Sequence, residues 1–185
     1  CNLGSLKFEA GSMTRTRIAP SPTGEDIHIG NVYTALINYA VAKKSGGSFI
    51  IRIEDTDRSR YVAGAEEKIL ESLHWLGIPY DEGPDIGGPH SPYRQSERLP
   101  LFKKHAEKLI DEGKAYVSKE EVKKEGDRSE VIRFKNPNKS VTFVDLIRGA
   151  ITMDTTDLGD FVIARSASEP VFHFAVVVDD ADAGV

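Results

Sequence analysis

Cysteine is almost absent from this chain of 185 residues, and the one cysteine is Cys1. An internal disulfide and a cysteine zinc cluster are therefore both excluded. No apolar run approaches the ~20 residues that a helix needs to cross a bilayer. No basic segment followed by an apolar stretch marks a secretion signal. These absences favour a cytoplasmic protein without a membrane partner, and we expect that location.

The chain also lacks an excess of basic residues. Its 24 Lys and Arg against 29 Asp and Glu give a formal net charge of −5. A dedicated nucleic-acid-binding domain is usually basic, so this charge argues mildly against one. A local basic face on an acidic protein is still compatible with nucleic-acid binding. Scattered candidates for such a face are Lys103, Lys104, Lys123, Lys124, Arg133, Lys135 and Lys139. For any single one, a solvated surface charge is the simpler interpretation.

The length allows one domain or one and a half, with ample core. Residues 1–12 show no clear period, and Met13 has the character of a native start. We therefore expect residues 1–12 to be a cloning remnant or a disordered extension.

The most informative segment is Arg17–Gly30, which joins a short apolar run to an apolar-periodic stretch over Val32–Lys44. This pattern predicts a buried strand, a turn and a helix N-terminus. The first N–H groups of a helix have no internal partner, and the helix dipole favours negative charge there. Gly24 and Gly30 allow close backbone approach, and His28 adds a ring donor. The turn therefore predicts a site for a nucleotide phosphate.

Periodicity along the chain predicts an α/β fold. The expected strands are Thr16–Ala19 and Phe49–Ile53, and the expected helices are Val32–Lys44, Ala63–Leu76 and Glu97–Glu112. Because a helix joins the first two strands, they should be parallel. The expected inward stripe of the first helix is Ala35, Leu36, Tyr39, Ala40 and Val41. Later runs of strand composition are Val131–Phe134, Val141–Val144, Ala150–Met153, Phe161–Ala164 and Val171–Val178. We expect the first half of a doubly wound parallel, Rossmann-like sheet with an inserted, smaller, strand-rich subdomain.

The turn also carries a resemblance. Pro20–Gly24 followed by His28–Gly30 resembles the signature of class I glutamyl-tRNA synthetases. Further blocks are similar to that family and follow in its order. They are Arg52–Arg58, Asp81–Pro89, Tyr93–Arg98, Val131–Lys135, Asp145–Gly149 and Val176–Asp180. Each block alone is a weak signal, but the ordered set is highly specific and covers nearly all of the chain after Met13.

The resemblance implies a domain plan. Residues 13–114 would be the N-terminal half of the nucleotide-binding catalytic domain. Residues 115–167 would be an inserted acceptor-stem-binding-like subdomain, which is shorter than usual between Tyr116 and Val131. Residues 168–185 would begin the second half of the catalytic domain. The family's lysine-containing phosphate loop and its anticodon-binding region have no counterpart in this sequence.

The activity that the resemblance implies is that of a glutamate–tRNA ligase. Such an enzyme uses ATP, with Mg²⁺, to activate L-glutamate to glutamyl-adenylate and then transfers the glutamate to tRNA(Glu). We expect no zinc and a monomeric protein. The chain alone should bind ATP or glutamate weakly and should not charge tRNA at a useful rate, because phosphate clamping needs both halves of the cleft.

Two alternatives stay open. One is the truncated paralogue that glutamylates a queuosine base on tRNA, although that paralogue usually lacks the Asp81–Pro89 loop in this form. The other is a non-catalytic nucleotide-binding or tRNA-binding module.

Site roles follow from the resemblance residue by residue. The catalytic turn comprises His28, Gly30 and Asn31, the last of which stands where many class I enzymes have a second histidine. The ATP-binding residues are Pro20, Ser21, Pro22, Thr23, Gly24, His28 and Gly30. The glutamate-binding residues are Arg17, Ser21, Glu54 and Phe172, the last of which replaces the family's usual tyrosine.

The chemistry suits these residue types. A donor fixed at the α-phosphate would stabilise the negative charge that gathers there in the transition state. An arginine fork suits a carboxylate, and a buried glutamate suits an ammonium group. Simpler readings are a structural hydrogen bond for His28, a surface charge for Arg17, and an N-cap or an arginine partner for Glu54. We interpret Asp55 and Asp57 as structural rather than as metal ligands, and Asp179 and Asp180 as shaping the cleft from the end of a strand.

Overall fold

The computed structural model describes residues 13–24, 27–121, 129–145 and 148–185. The expectation for residues 1–12 lies outside these ranges, as do Lys123 and Lys124. The helices are α1 (Ile29–Ser45), α2 (Ala65–Trp75), α3 (Leu99–Asp111) and α4 (Phe172–Ala183). The strands are β1 (Arg15–Ile18), β2 (Ser48–Ile51), β3 (Ala115–Lys119), β4 (Glu130–Phe134), β5 (Ser140–Asp145), β6 (Gly149–Asp154), β7 (Phe161–Ser166) and β8 (Glu169–Pro170). Short 3₁₀ helices span Arg58–Arg60 and Gln95–Arg98.

The described residues form two compact units, one of residues 13–98 with 179–185 and the other of residues 99–178. The fold is α/β, with a parallel strand pair in one sheet and antiparallel pairing in two others. None of the described helices is both long and apolar enough to cross a membrane.

In the first unit, β1 and β2 are parallel, with Thr16 opposite Phe49 and Ile18 opposite Ile51. The predicted parallel pair is therefore confirmed, and α1 is the crossover that joins the two strands. Apolar side chains of both strands and both helices form one core. Its fully buried members include Ala35, Ala42, Phe49, Ile51, Ile53 and Leu73. Tyr39 of α1 packs edge-on against Phe49 with ring centroids 6.2 Å apart.

Helix α1 starts at Ile29, three residues before the predicted start, and stops at Gly46, whose φ of 67° is the left-handed value that glycine favours. Its inward stripe is narrower than expected. Ala35 and Ala42 are buried, but the predicted Leu36 and Ala40 are exposed. Positions 35 and 42 lie two turns apart on one face. Leu36 lies about 100° around the axis from Ala35, and Ala40 lies about 160° from Ala42. The sheet that α1 packs against has two described strands, and the narrow stripe of Ala35 and Ala42 is enough to cover it.

The second unit contains a four-stranded antiparallel sheet in the order β3-β4-β7-β8 and a separate β5-β6 hairpin. The four predicted strand runs between 131 and 164 are confirmed as β4 to β7. Strand β3 was not predicted, because its exposed Tyr116 and Val117 break the alternation that marks a half-buried strand. Phe102 of α3, Ile132 of β4 and Ala164 of β7 are central to this unit's core.

The predicted strand Val171–Val178 is wrong, because this run belongs to helix α4. Phe174, Ala175 and Val178 are buried while Val177 is 67% exposed. This spacing of buried positions is helical and does not alternate. The run of valines has strand composition, but packing of one helical face overrides that preference. Asp179 and Asp180 therefore lie inside a helix and not at the end of a strand.

Candidate functional site

The first functional feature is the turn that begins α1. His28 is the N-cap, and its Nδ1 accepts a hydrogen bond from the Gly30 N–H at 3.0 Å. The N–H groups of Asn31 and Val32 donate to the His28 carbonyl at 2.8 and 3.2 Å. The expectation of several unpartnered N–H groups at this terminus is therefore wrong for Gly30 and Asn31, because histidine supplies both acceptors.

This cap determines which ring nitrogen of His28 can donate. In a neutral imidazole one nitrogen accepts and the other carries the proton. Since Nδ1 accepts from Gly30, the proton of the neutral ring is on Nε2. The His28 residue is exposed. The turn therefore presents one fixed N–H donor to solvent from a ring that the helix itself holds in place.

The loop before the turn is anchored by its own backbone. The carbonyls of Pro20 and Pro22 accept hydrogen bonds from the N–H groups of Glu54 and Val62, at 3.1 and 2.9 Å. Pro20 and Pro22 are buried. The other predicted ATP residues of the loop, Ser21, Thr23 and Gly24, are exposed, as is Asn31 of the catalytic turn. The structure thus joins the loop carrying Ser21 directly to the segment carrying Glu54.

The second feature is a linked set of charges, formed by Arg17, Arg52, Glu54 and Asp180. Arg17 of β1 donates from Nε and Nη2 to the two carboxylate oxygens of Asp180, at 2.9 and 2.8 Å. Arg52 donates from Nη1 to Asp180 at 2.6 Å and from Nη2 to Glu54 at 3.2 Å. A single buried arginine therefore connects Asp180, and through it Arg17, to Glu54.

Burial and pairing set the ionisation of this cluster. Burial raises the pKa of Glu54, and the hydrogen bond from Arg52 only partly opposes that rise. Burial also opposes ionisation of Asp180, but the hydrogen bonds from Arg17 and Arg52 outweigh it and lower the pKa of Asp180. The hydrogen bond with Asp180 raises the pKa of Arg17. Asp180 is thus firmly ionised, whereas Glu54 is held closer to its neutral form.

Arg52 itself has one unusual atom. Its Nε is buried and makes no hydrogen bond to any described residue, although Asp179 Oδ2 lies 3.4 Å away. Arg17, Arg52 and Asp179 line a small cleft together with His90, Tyr93 and Arg98. The three guanidinium groups of this cleft are paired with carboxylates of Glu54, Asp179, Asp180 and Asp182.

A further charged group fixes Asp179, which is 1% exposed. Arg98 Nε donates to Asp179 Oδ1 at 2.7 Å, and Gln95 Nε2 donates to Asp179 Oδ2 at 2.8 Å. Arg98 also donates from Nη2 to Asp182 at 2.6 Å. The short 3₁₀ helix that carries Gln95 and Arg98 therefore holds the acidic segment of α4 in place.

Known proteins are similar to nearly the whole of this chain. The family model for the catalytic domain of class I tRNA synthetases (E and Q) matches residues 13–125 and 117–185. The chain belongs to this family. It is 49% identical over 201 residues to the glutamate–tRNA ligase of Thermus thermophilus, covering 94% of this chain and 43% of that protein. It is 51% identical over 193 residues to that of Dehalococcoides mccartyi, covering 90% of this chain and 39% of that protein.

A solved structure of the family is also similar. The glutamate tRNA ligase from Elizabethkingia meningosepticum, crystallised in complex with its amino acid, superposes with a TM-score of 0.84 at 35% identity. The match covers 94% of this chain and 43% of that one. The chain thus spans less than half the length of the relatives it matches.

Two aspartates that follow Glu54 accept hydrogen bonds within the protein. Asp55 accepts from the N–H and Oγ of Ser96 at 2.8 and 2.5 Å. Asp57 caps the Arg58–Arg60 helix through the N–H of Ser59. Among the described residues, no three His, Cys, Asp or Glu side chains are grouped so that they could hold a metal ion.

Phe172, the remaining predicted glutamate contact, belongs to the unit of residues 99–178. It is the first residue of α4, is 58% exposed, and meets the ring of His173 edge-on at 5.3 Å between centroids. No hydroxyl is present at this position to bind a ligand.

Sequence reasoning missed most of the partners in the cluster. The simpler interpretation of Glu54, as a partner of Arg52 or Arg58, anticipated its contact with Arg52. Gln95 and Arg98 stood inside recognised blocks without an assigned role, and Asp180 was interpreted only as shaping a cleft. Arg17 and Asp180 are 163 positions apart, and nothing in local pattern connects them. The one available signal was that Asp180 lies within a block of the resemblance that also assigns Arg17 to glutamate binding.

Proposed function

We propose that this chain is the N-terminal catalytic portion of a glutamate–tRNA ligase, which activates L-glutamate with ATP and transfers it to tRNA(Glu). The observation that carries the proposal is the link Arg17–Asp180–Arg52–Glu54. At one end of this link, the guanidinium of Arg17 is suited to bind a carboxylate. At the other end, the buried carboxylate of Glu54 is suited to bind an ammonium group. An amino acid with an acidic side chain offers both.

Glutamate binding follows from these groups. Arg17 receives a carboxylate of the ligand, because a guanidinium can donate two parallel hydrogen bonds to it. Glu54 in its ionised form accepts from the ligand ammonium group, which supplies the second cation that favours ionisation. The hydroxyl of Ser21, in the loop that is bonded to the Glu54 backbone, contributes a neutral donor or acceptor. Phe172 stays a proposed glutamate contact through the resemblance alone, and its ring carries no polar atom.

Adenylate formation is assigned to the α1 turn. A carboxylate oxygen of glutamate attacks the α-phosphorus of ATP, and pyrophosphate leaves. The Nε2–H of His28 donates to the phosphate oxygens as their charge grows, and the exposed Thr23, Gly24 and Gly30 allow the nucleotide close to the backbone. Mg²⁺ bound to ATP would neutralise part of the phosphate charge. A ribose hydroxyl of the tRNA terminus then attacks the activated carbonyl, and AMP leaves.

The domain plan is part of the proposal. Residues 13–114 and the segment from 168 would belong to one Rossmann-like, doubly wound catalytic domain. The antiparallel strands within 115–167 would contact the acceptor stem, with Arg133 and Lys135 of that segment as basic candidates. We propose a monomer that works in the cytoplasm, where charged tRNA is used.

The experiment is glutamate-dependent exchange of pyrophosphate into ATP, measured with the natural gene product that contains this chain, with and without tRNA. Glutamine and aspartate are the matched amino-acid controls. We expect exchange with glutamate alone among the three, and glutamylation of tRNA(Glu) at its terminus. Glutamylation of a queuosine base would instead identify the paralogue. Binding of ATP without exchange under any condition would identify a non-catalytic module and overturn the proposal.

A further inference from the structure

The guanidinium of Arg17 is only partly used by the protein. An arginine carries five N–H donors, one on Nε and two on each terminal nitrogen. Asp180 takes the Nε–H and one N–H of Nη2, which is the side-on edge of the group. No described residue accepts a hydrogen bond from Nη1. The end-on edge, with one N–H on each terminal nitrogen, is therefore left for a second carboxylate.

Arg17 can reach such a ligand. Its side chain is 27% exposed, whereas that of Arg52 is 5% exposed and donates from both terminal nitrogens to acidic groups. Two carboxylates can bind one guanidinium at the same time when one takes the side-on edge and the other the end-on edge. Asp180 is thus placed to hold Arg17 without taking the donors that a ligand needs.

Asp180 is itself fixed by a hydrogen bond from Arg52. Arg52 Nη1 donates to Asp180 Oδ1 at 2.6 Å, the same oxygen that accepts from Arg17 Nε. Through its other terminal nitrogen, Arg52 also contacts Glu54. The buried side chain of Arg52 therefore helps to fix the positions of both the Arg17 guanidinium and the Glu54 carboxylate.

We propose that Asp180 is a positioning residue, which aims the end-on edge of Arg17 at the side-chain carboxylate of the amino-acid substrate. This proposal rests on the proposed function and adds to it a residue that contacts no substrate. Without the Asp180 carboxylate, Arg17 would lose its fixed orientation and would also turn toward other acidic groups of the cluster. Substrate glutamate would then bind less well, while the ATP-binding turn at His28 would be unaffected.

The test is the Asp180→Asn variant of the natural gene product in glutamate-dependent pyrophosphate exchange. Asparagine has nearly the same shape, but its amide nitrogen cannot accept from a guanidinium. We expect the KM for glutamate to rise about tenfold to a hundredfold, as for loss of charge-assisted hydrogen bonds. The KM for ATP should stay within about twofold of the wild-type value. A merely structural role would instead change both KM values, or only the unfolding temperature.

The matched control is Asp182→Asn, which removes an aspartate two positions away that pairs with Arg98. Because Arg98 still donates to Asp179 in this variant, the KM for glutamate should change far less than in Asp180→Asn. Asp180→Glu is the second variant, because it keeps the charge and moves the carboxylate by one methylene. We expect it to raise the KM for glutamate by about threefold to tenfold, with ATP unaffected.

Three outcomes would overturn the inference. An unchanged KM for glutamate in both Asp180 variants would show that Asp180 does not position Arg17 for substrate binding. A lower KM in Asp180→Asn shows that Asp180 competes with the ligand for Arg17. Absence of glutamate-dependent exchange in the wild-type protein removes the proposed function and the inference with it, and this result is distinguishable because it appears before any variant is compared.

Discussion

The imidazole of His28 accepts a hydrogen bond from the Gly30 N–H, two residues further along the chain, at 3.0 Å. One side chain therefore satisfies the helix terminus through Nδ1 and keeps Nε2–H available for a ligand. The two roles that sequence reasoning treated as alternatives, a structural hydrogen bond and a phosphate donor, use different atoms of the same ring.

Substitutions at His28 should separate these roles. Asparagine is among the best N-cap residues, so His28→Asn should unfold at nearly the wild-type temperature. Its side chain is too short to replace the Nε2–H donor, and we expect the exchange rate to fall about a hundredfold to a thousandfold. His28→Ala should show the same loss of rate and a further loss of about 1 kcal/mol in the free energy of unfolding. Thermal unfolding and pyrophosphate exchange on both variants test this, and a fully active His28→Asn enzyme would contradict it.

Gly30→Ala should damage the same turn from the other side. A Cβ at position 30 would lie 3.1 Å from His28 Nδ1, which is too close unless the ring shifts. Alanine also favours the helix by up to about 1 kcal/mol relative to glycine, which offsets part of any lost capping. We expect stability within about 1 kcal/mol of wild type and an exchange rate at least tenfold lower. The measurements are the unfolding temperature and the kcat of pyrophosphate exchange, each compared between Gly30→Ala and the wild type. Equal activity of this variant and the wild type would show that the ring position is unimportant.

The ionised side chain of Glu54 should lower the free energy of unfolding and should also help to bind substrate glutamate. Burial raises its pKa in the folded protein above the unfolded value. Its contribution to stability is therefore fully present below the unfolded pKa and is lost as pH rises through the folded pKa. Glu54→Gln keeps a neutral group at all pH values, so its stability relative to wild type should improve as pH rises from the unfolded pKa of glutamate through the raised folded pKa of Glu54.

The same variant should bind glutamate poorly, because an amide cannot pair with the ligand ammonium group. We expect kcat/KM for glutamate to fall about tenfold to a hundredfold. Denaturant unfolding at a series of pH values, with exchange kinetics beside it, measures both effects. A stability difference that is flat with pH would refute the raised pKa, and normal glutamate kinetics would refute the binding role.

Phe172→Tyr tests the departure from the family's usual residue. Residue 172 is 58% exposed, so an added hydroxyl should leave the unfolding temperature unchanged. The resemblance implies that this hydroxyl helps to hold glutamate, and one neutral hydrogen bond contributes about 0.5–1.5 kcal/mol. We expect the KM for glutamate to fall about twofold to tenfold. An unchanged KM would mean that position 172 does not contact the substrate in this protein.

The local sequence pattern correctly predicted those elements whose apolar residues, prolines and glycines all indicate the same structure. The strand–turn–helix from β1 to α1 was predicted because apolar period, prolines and glycines agree there. Helix α4 was mistaken for a strand because its valines carry strand propensity, and only packing against the second unit's own core reveals the helical face. The exposed position of Leu36 could not be foreseen, since it depends on how much sheet the helix covers.

The candidate site divides in the same way. Arg17, His28 and Glu54 could be named from short motifs, and the structure links Arg17 and Glu54 through side chains that those motifs did not explain. Pairing between Arg17 and Asp180 joins residues 163 positions apart. Such a contact depends on the complete fold, and a single sequence holds no local trace of it.

The central claim is that one anionic amino acid binds between Arg17 and Glu54 with its adenylate at the α1 turn. A crystal structure of the natural gene product with a non-hydrolysable glutamyl-adenylate analogue tests it most directly. We expect the ligand's side-chain carboxylate on the end-on edge of Arg17, its ammonium group on Glu54, and a phosphate oxygen within hydrogen-bond distance of His28 Nε2. An analogue bound elsewhere, with the His28 ring turned away and Arg17 contacting only Asp180, would contradict it.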